Sequence, residues 1–581
     1  MNEEGTPPPG GRAGPPPSGE IGSAAFSARV AARVDALTDR LASRRGIVAL
    51  WVVSTLALTL VASLMHVARL PGWDDAAHLY KLYLLEHGHS ILWDDFWYGG
   101  SYGSITYGFL FYLLAAVVPA KAVVVVAGGL VPPLFLLYQR GMWGIRDPWP
   151  AWLLALVMAA YLAHGQDPFV LALALTLGGL ALLARDRPLW AAAPVAAGIF
   201  ANPMGLVVCG VFVLADVLAR PELRRRYFVF LAALAPFLLG RALLGWAFSE
   251  PGGYLNETSQ LLLYLGFALA GAGLAGLNAV HARRPFVILF FTYAALCVVS
   301  FVLPGSPLGN NIGRFLFVFG APLLFLLRHS RLRRPFPGGD LAILVVVAFA
   351  VIQFSAPYSH FTKVEERPQT RASYFAPALA AARELQDPDY RFHVVALRRH
   401  WEAYFFPRAG HAITRGWYRQ ADAIHNAVFY TTYDAAEYVA WLKSMGVEYV
   451  FLPDGLLDAW SRREARILRT SPEFQMERET GAWTVYRLSD AQPIAVGLDG
   501  GTAQIGTMGH QDVDLVVDRP GRYLIKLTWS PYWDLERGSG TLRRGPGNAI
   551  LLDAGEAGAY SLRFSVAPGE VVSQLGARLG L

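Results

Sequence analysis

The stretch PGWDDAAHLYKLYLLEHGHSILWDDFWYGGSYGSITY, residues 71–107, follows the first long apolar run of the chain and decides how the rest is read. Asp74 and Asp75 stand where that run would leave a membrane, and His78, Glu86, Asp94 and Asp95 follow. A carboxylate pair at the mouth of a membrane cavity serves as a base for an acceptor hydroxyl or as part of a metal site. Its bland counterpart is a pair of solvated helix-start residues favoured by the helix dipole. For Asp94 and Asp95 in the WDD turn, capping or solvation is the expectation. The loop also carries Trp73, Trp93, Trp97, Tyr98 and Tyr102, whose apolar bodies and polar tips suit the headgroup layer and stack on sugars. The combination points to chemistry at a lipid–water boundary.

Composition agrees that much of the chain lives in lipid. Its 581 residues are 54% hydrophobic, and its mean hydropathy is +0.35, too apolar for an ordinary soluble protein and long enough for more than one domain. Cys209 and Cys297 both fall in apolar runs, so neither a disulfide framework nor a cysteine metal site is available. Residues 1–40, rich in Pro, Gly, Ser and Ala at the start, read as a disordered cytoplasmic tail. No G-x-G-x-x-G at a strand-to-helix turn and no P-loop is present, and a lipid-linked donor would need neither; no nucleic-acid partner is expected.

Apolar segments of roughly 14 to 22 residues predict about eleven spans within 41–358. They lie near 47–68, 121–138, 150–163, 169–184, 189–201, 203–219, 227–248, 260–280, 286–303, 313–328 and 341–357. Basic clusters at Arg44–Arg45, Arg140 with Arg146, Arg185 with Arg187, Arg220 with Arg224–Arg226, Arg283–Arg284 and Arg328–Arg334 fall in alternate loops, which the positive-inside rule makes cytoplasmic. The alternation holds when 104–118 is a juxtamembrane or re-entrant helix within a long first outer loop, 69–120. If that segment crosses, the carboxy-terminal third lies in the cytoplasm instead of outside.

On this topology the unusual polar residues share the outer face. They are the acidic loop, His164 and Asp167 of HGQDP, Asn202 of ANPM, Glu250–Glu257, and Asn310, Asn311 and Arg314 of GNNIGR. Arg241 lies inside an apolar span, which is costly unless it faces a polar cavity or a partner. A guanidinium fork matches phosphate oxygens, so Arg241 and Arg314 predict a phosphate or pyrophosphate ligand in the outer leaflet. Snorkelling to the headgroups is the alternative. For Asp167, ahead of Pro168 at a helix start, an N-cap is the ordinary role.

The remaining third divides near 490. Residues 359–490 alternate strand and helix and predict a small α/β module; from 491 to 581 short strands between Gly and Pro turns predict a β-sandwich. The loop ITRGWYRQADAIHNAVFY, 413–430, has a composition suited to sugar contacts, with Trp417 and Tyr418 as candidates beside Trp97, or it packs the module onto the membrane part. SPYWDLERGSG, 530–540, reads as a carbohydrate-facing loop or as packing.

The Trp-Asp-Asp start, the helix DDAAHLYKLYLLEHG, the W-x-x-x-W-x-G element in WDDFWYGG and the apolar YGFLFYLL resemble the GT-C superfamily, membrane glycosyltransferases that use polyprenyl-phosphate sugars. Within it the chain is similar to the 6-pyruvoyl-tetrahydropterin-synthase-related membrane proteins and their cell-envelope relatives in high-G+C Gram-positive bacteria. MGVEYVFLPDG and WTVYRL look like that group's extracytoplasmic module. The resemblance implies a GT-C-like membrane domain followed by the α/β module and the β-sandwich. It implies an inverting transfer of a sugar from a polyprenyl-phosphate donor to an extracytoplasmic glycan, glycolipid or protein, at a multi-pass plasma membrane with the N-terminus inside and the carboxy-terminal domains outside. It places the first-loop acid on Asp74 or Asp75, with Asp75 favoured as base, and the second-loop acid on Asp167, with His78 and Lys81 in support. Arg241 or Arg314 would hold the donor phosphate. A divalent cation, Mg or Mn, on Asp74, Asp75 and Asp167 is optional, because HGQDP carries one aspartate where other members have a fuller acidic motif. The runners-up are a flippase of lipid-linked saccharides and an inactive assembly scaffold; no repeated halves of the transporter kind are visible.

Overall fold

The computed structural model describes residues 33, 36–37, 39–41, 43–103, 107–248, 257–277, 283–303, 308–327, 338–362 and 366–579. Most of the 1–40 tail, Ser104 to Thr106, Glu250 to Asn256 and the Arg328–Arg334 cluster lie outside the described residues.

Helices stand at the positions expected of spans. Six of them, Arg44–Val67, Ala120–Trp143, Pro221–Ala247, Thr258–Leu277, Arg283–Val302 and Gly309–Leu326, are long and apolar enough to cross a membrane by length and composition. Side chains such as Leu56 (63% exposed), Val67 (80%) and Phe228 (73%) point away from the protein, as residues covered by lipid do. The expected count of about eleven meets a physical limit at Trp149–His164, Asp167–Leu183, Pro188–Ala201 and Met204–Ala219. Helices of about 14 to 17 residues rise roughly 21 to 26 Å, less than the hydrocarbon thickness of about 30 Å. They are shorter because Gly165 and the Asn202-Pro203 pair break the apolar run into pieces. They are also the best-packed part of the bundle, with Phe169, Leu173, Leu177, Val195 and Phe212 fully buried. Within 104–118, the described helix is Phe109–Ala115, only seven residues long. It rises about 10 Å, far short of a crossing.

Beyond Thr362 the chain builds two modules. In the first, β1 (Arg391–Val394), β2 (Val447–Pro453), β3 (Phe474–Thr480) and β4 (Trp483–Leu488) form a sheet in the order β1-β2-β4-β3, parallel at β1/β2 and antiparallel elsewhere. The parallel pair needs a crossover, which includes helix Ala435–Met445, started by a capping box of Asp434 and Glu437.

The second module contains β5 (Ala495–Gly497), β6 (Ala503–Met508), β7 (Asp512–Val517), β8 (Gly521–Thr528), β9 (Trp533–Arg537), β10 (Gly540–Arg544), β11 (Ala549–Ala554) and β12 (Gly558–Phe564). They form two four-stranded sheets, β10-β11-β8-β5 and β6-β7-β12-β9. Alternate residues of both, Val513, Leu515 and Val517 against Tyr523, Ile525 and Leu527, share one core, so the sheets face each other as a sandwich. A helix at Pro568–Leu579, absent from the sequence reading, closes the described chain.

The acidic loop is the layer between the helices and these modules. Trp93 stacks on Phe564 at 4.6 Å and, with Tyr102, belongs to the sandwich core. The Ile413 N–H donates to the Phe96 carbonyl, and the Thr528 N–H to the Gly99 carbonyl. The loop and both modules therefore occupy the same side of the bundle.

Candidate functional site

Two loops meet at the start of the acidic segment. The Trp73 N–H donates to the His164 carbonyl at 2.9 Å, and Gly72 and Gly165 touch backbone to backbone. A Cβ on Gly165 would stand 2.9 Å from Asp75 Oδ1 and 3.1 Å from the Gly72 Cα, and its φ of +80° is itself a glycine conformation. Glycine at 165 is what lets HGQDP approach the aspartate pair.

Asp74 and Asp75 are 7% and 8% exposed, so neither is a solvated helix-start residue. Asp74 occupies the N-cap position of helix Asp75–Glu86 without making a side-chain cap bond. Asp75 is anchored at both oxygens. Oδ2 accepts the Gly72 N–H at 2.8 Å and Oδ1 accepts from Lys121 Nζ at 2.9 Å. The same ammonium donates to Asp167 Oδ2 at 2.9 Å. Asp167 is the first residue of its helix, after the N-cap Gln166, and its carboxylate is turned to Lys121 instead of capping. Lys121 thus unites the two expected acidic positions, and the sequence reading missed it. The available signal was a lysine at the acidic-loop end of an apolar span, where the positive-inside rule leads one to expect none.

The two aspartates titrate apart. Burial pushes the Asp74 carboxyl up to about 7, against the pull of the Arg314 guanidinium. Burial acts the same way on Asp75, but the Lys121 ammonium and the Gly72 N–H hold its carboxyl below the ordinary value. Neighbouring carboxyls pushed in opposite directions are the usual arrangement where one must carry a proton.

Arg314 exerts its charge on Asp74, is in hydrogen-bond contact with Tyr107 and has its guanidinium 5.1 Å from the centre of the Phe169 ring. Its Nη1 is buried without a hydrogen-bond partner in the described structure. Tyr107 also lines a cavity of about 850 Å³ between the helices and the α/β module. The cavity wall is mostly apolar, with Leu206, Leu238 and Leu296 from the helices and Ile424 from the module, and Arg241 is set into it. Tyr107 thus links Arg241's cavity to Arg314, whose charge reaches Asp74.

The supporting residues divide. His78 Nε2 lies 3.0 Å from the Gly165 carbonyl, which can only accept, so Nε2 carries the proton and Nδ1 accepts from the Tyr112 hydroxyl at 3.0 Å. Burial lowers its pKa, and the neutral ring ties the acidic helix to HGQDP. Lys81 is brought elsewhere: it is 1% exposed, with its ammonium 4.8 Å from the centre of the Trp97 ring.

Trp97 corrects its assignment as an acceptor contact. It is fully buried and donates its indole N–H to the Ala403 carbonyl at 2.9 Å, because the α/β module closes over it. Tyr418 is 2% exposed but lines the cavity, and Trp417 beside it is half-buried. Elsewhere in 413–430, Arg415 forms a buried pair with Asp422, so that loop largely packs the module. Tyr532 and Trp533 of 530–540 are likewise buried.

Asp94 and Asp95 are fully buried, against the expectation of a solvated turn. Asp94 Oδ1 accepts from His510 Nδ1 at 2.9 Å. Burial alone would raise the Asp94 carboxyl, and the His510 bond holds it down instead. Burial raises Asp95 well above the carboxylate range, and its Oδ1 accepts the Trp93 indole N–H at 2.8 Å. These residues hold the sandwich to the loop.

No family model and no curated protein matches the chain. Among solved structures it is similar to the apo form of the oligosaccharyltransferase of Archaeoglobus fulgidus, with a TM-score of 0.43 and 12% identity, over 71% of this chain and 70% of that one.

Proposed function

We propose that the chain is an inverting membrane glycosyltransferase, moving a sugar from a polyprenyl-phosphate donor to an extracytoplasmic glycan, glycolipid or protein. The observation that carries this reading is the buried Asp74 carboxyl under the charge of Arg314, whose hydrogen-bond partner Tyr107 lines an apolar, arginine-bearing cavity at the junction of helices and outer module. An apolar slot suits a prenyl chain, and a guanidinium at its wall suits the phosphate.

Asp74 is the base. The acceptor hydroxyl oxygen forms the new bond to the anomeric carbon while the bond from that carbon to the phosphate oxygen breaks. The hydroxyl proton passes to the Asp74 carboxylate, and the bonding pair leaves with the phosphate, whose charge Arg314 and Arg241 offset. Asp75, fixed by Gly72 and Lys121, holds the neighbouring charge in place. This reverses the preference for Asp75, because an anchored carboxylate held below its ordinary pKa is the poorer proton acceptor. The short Phe109–Ala115 helix and the burial of the acidic loop under both carboxy-terminal modules support an extracytoplasmic placement of all three.

The test is sugar transfer by the purified chain in lipid, from a panel of radiolabelled polyprenyl-phosphate sugars to crude envelope acceptors. Wild type should transfer one of them, and Asp74→Asn should bind the donor without transferring it. Donor binding without transfer under every condition, unchanged by Asp74→Asn and Asp75→Asn, would favour a flippase or scaffold and refute the reading.

A further inference from the structure

We infer that the Lys121 ammonium is the resident cation of this centre, standing between Asp75 and Asp167 where a divalent ion would otherwise bridge them, so that the centre needs no metal. Lys121 Nζ is 2.9 Å from Asp75 Oδ1 and 2.9 Å from Asp167 Oδ2, and the two carboxylate side chains are 11% and 2% exposed. Those carboxylates come from separate outer segments, as the ligands of a bridging cation would. Asp75 Oδ2 is committed to the Gly72 N–H, which leaves Oδ1 as the oxygen facing Asp167, and the ammonium has taken it. Mg or Mn would need several more oxygens at close range. Among the described residues no group of three or more His, Cys, Asp or Glu is arranged to hold a metal. The three expected ligands Asp74, Asp75 and Asp167 therefore do not fit an ion while Lys121 is in place. Lysine supplies a fixed charge tethered to a span, and its position is set by the fold and not by ion supply. Removing that charge would leave two buried carboxylates turned toward each other, a pair that recruits a cation whose remaining ligands are waters.

The inference takes from the proposed function only that these carboxylates flank the reacting atoms, and its test reads metal directly. Mn²⁺ binding to the full chain in lipid nanodiscs is measured by electron paramagnetic resonance for wild type, Lys121→Met, Lys121→Arg and Lys121→Met with Asp167→Asn. Wild type and Lys121→Arg should hold no stoichiometric Mn²⁺. Lys121→Met should gain one ion per chain and lose it again with Asp167→Asn. A wild-type Mn²⁺ ion that disappears in Asp75→Asn overturns the inference, as does a folded Lys121→Met that gains none. If Lys121→Met does not fold, the wild-type and Lys121→Arg spectra still decide, since stoichiometric Mn²⁺ in either refutes the assignment. Sugar transfer that survives EDTA supports it, and transfer lost in EDTA and restored by Mn²⁺ overturns it. A chain with the expected spectra that transfers no sugar refutes the proposed function and leaves the lysine's role standing.

Discussion

Replacing Asp74 by asparagine keeps the side-chain shape and removes its ionisation, and the structure makes activity and stability respond in opposite directions. Burial raises this carboxyl from 3.8 to about 7, a difference of roughly three decades in proton affinity, each worth about 1.4 kcal/mol. The folded chain holds the proton more tightly than the unfolded chain does. The stabilisation from the protonated form is complete below pH 3.8, falls away between there and about 7, and is gone above it. At pH 8 the ionised carboxylate costs the fold up to about 4 kcal/mol, which Asp74→Asn returns. The variant should therefore melt at a higher temperature than wild type at pH 8, and the difference should vanish near pH 4. Activity moves the other way. A base must be ionised, so wild-type kcat/KM should rise with pH up to about 7 and be about tenfold lower one pH unit below that point. Asp74→Asn should lose about 10²- to 10⁴-fold and show no such limb. Thermal unfolding followed by tryptophan fluorescence, beside initial rates of transfer across the same pH series, checks both. A variant that is less stable than wild type at pH 8, or that keeps the acid limb, refutes the reasoning.

Gly165→Ala should cost about 1 to 3 kcal/mol by forcing a side chain into a left-handed conformation against Gly72 and Asp75; thermal unfolding reads the cost, and transfer should fall with it. Asp94→Ala leaves His510 without its carboxylate in a buried contact, at about 1.5 to 3 kcal/mol. Protease cleavage of the sandwich should report the loss. In wild type, the Asp94 contribution is present above pH 3.8 and is lost as pH falls through its lowered folded value, so acid should loosen the same contact. Arg241→Ala should weaken donor binding about 10-fold or more by removing a phosphate fork from the cavity wall, with Lys restoring charge but not bidentate geometry; titration of a polyprenyl phosphate reads both.

How much of this was legible depended on sequence distance. Asp74 and Asp75 announced themselves because charges beside an apolar run have few reasons to exist, and HGQDP drew attention for the same reason. The strands of the sandwich could be read because inward and outward residues alternate, as at Val513, Leu515 and Val517. What adjacency cannot carry was missed. Lys121 stands in the first turn of an apolar helix, 46 residues from each of the carboxylates it joins. Asp94 and Asp95 read as a solvated turn because the partner that buries the first of them, His510, is 416 residues away. Trp97 had the composition of a sugar contact, and only the approach of Ala403 and Ile413 turned it into a packing residue. The short helices at 149–219 were legible as apolar but not as limited in reach, since that depends on where Gly165, Asn202 and Pro203 break them.

The pairing of Asp94 with His510 also sets an order of assembly. With 416 residues between the partners and synthesis at about 5 to 20 residues per second, the loop is made roughly 20 to 80 s before the strand turn that covers it exists. Through that interval Trp93 and Asp94 have no sandwich core to enter. The loop is encoded near the start of the chain and the sandwich that covers Asp94 near its end. A nascent chain stalled before the sandwich would have its helices in place and still expose an open, acidic and aromatic surface, a natural handle for whatever in the cell recognises unfinished membrane proteins.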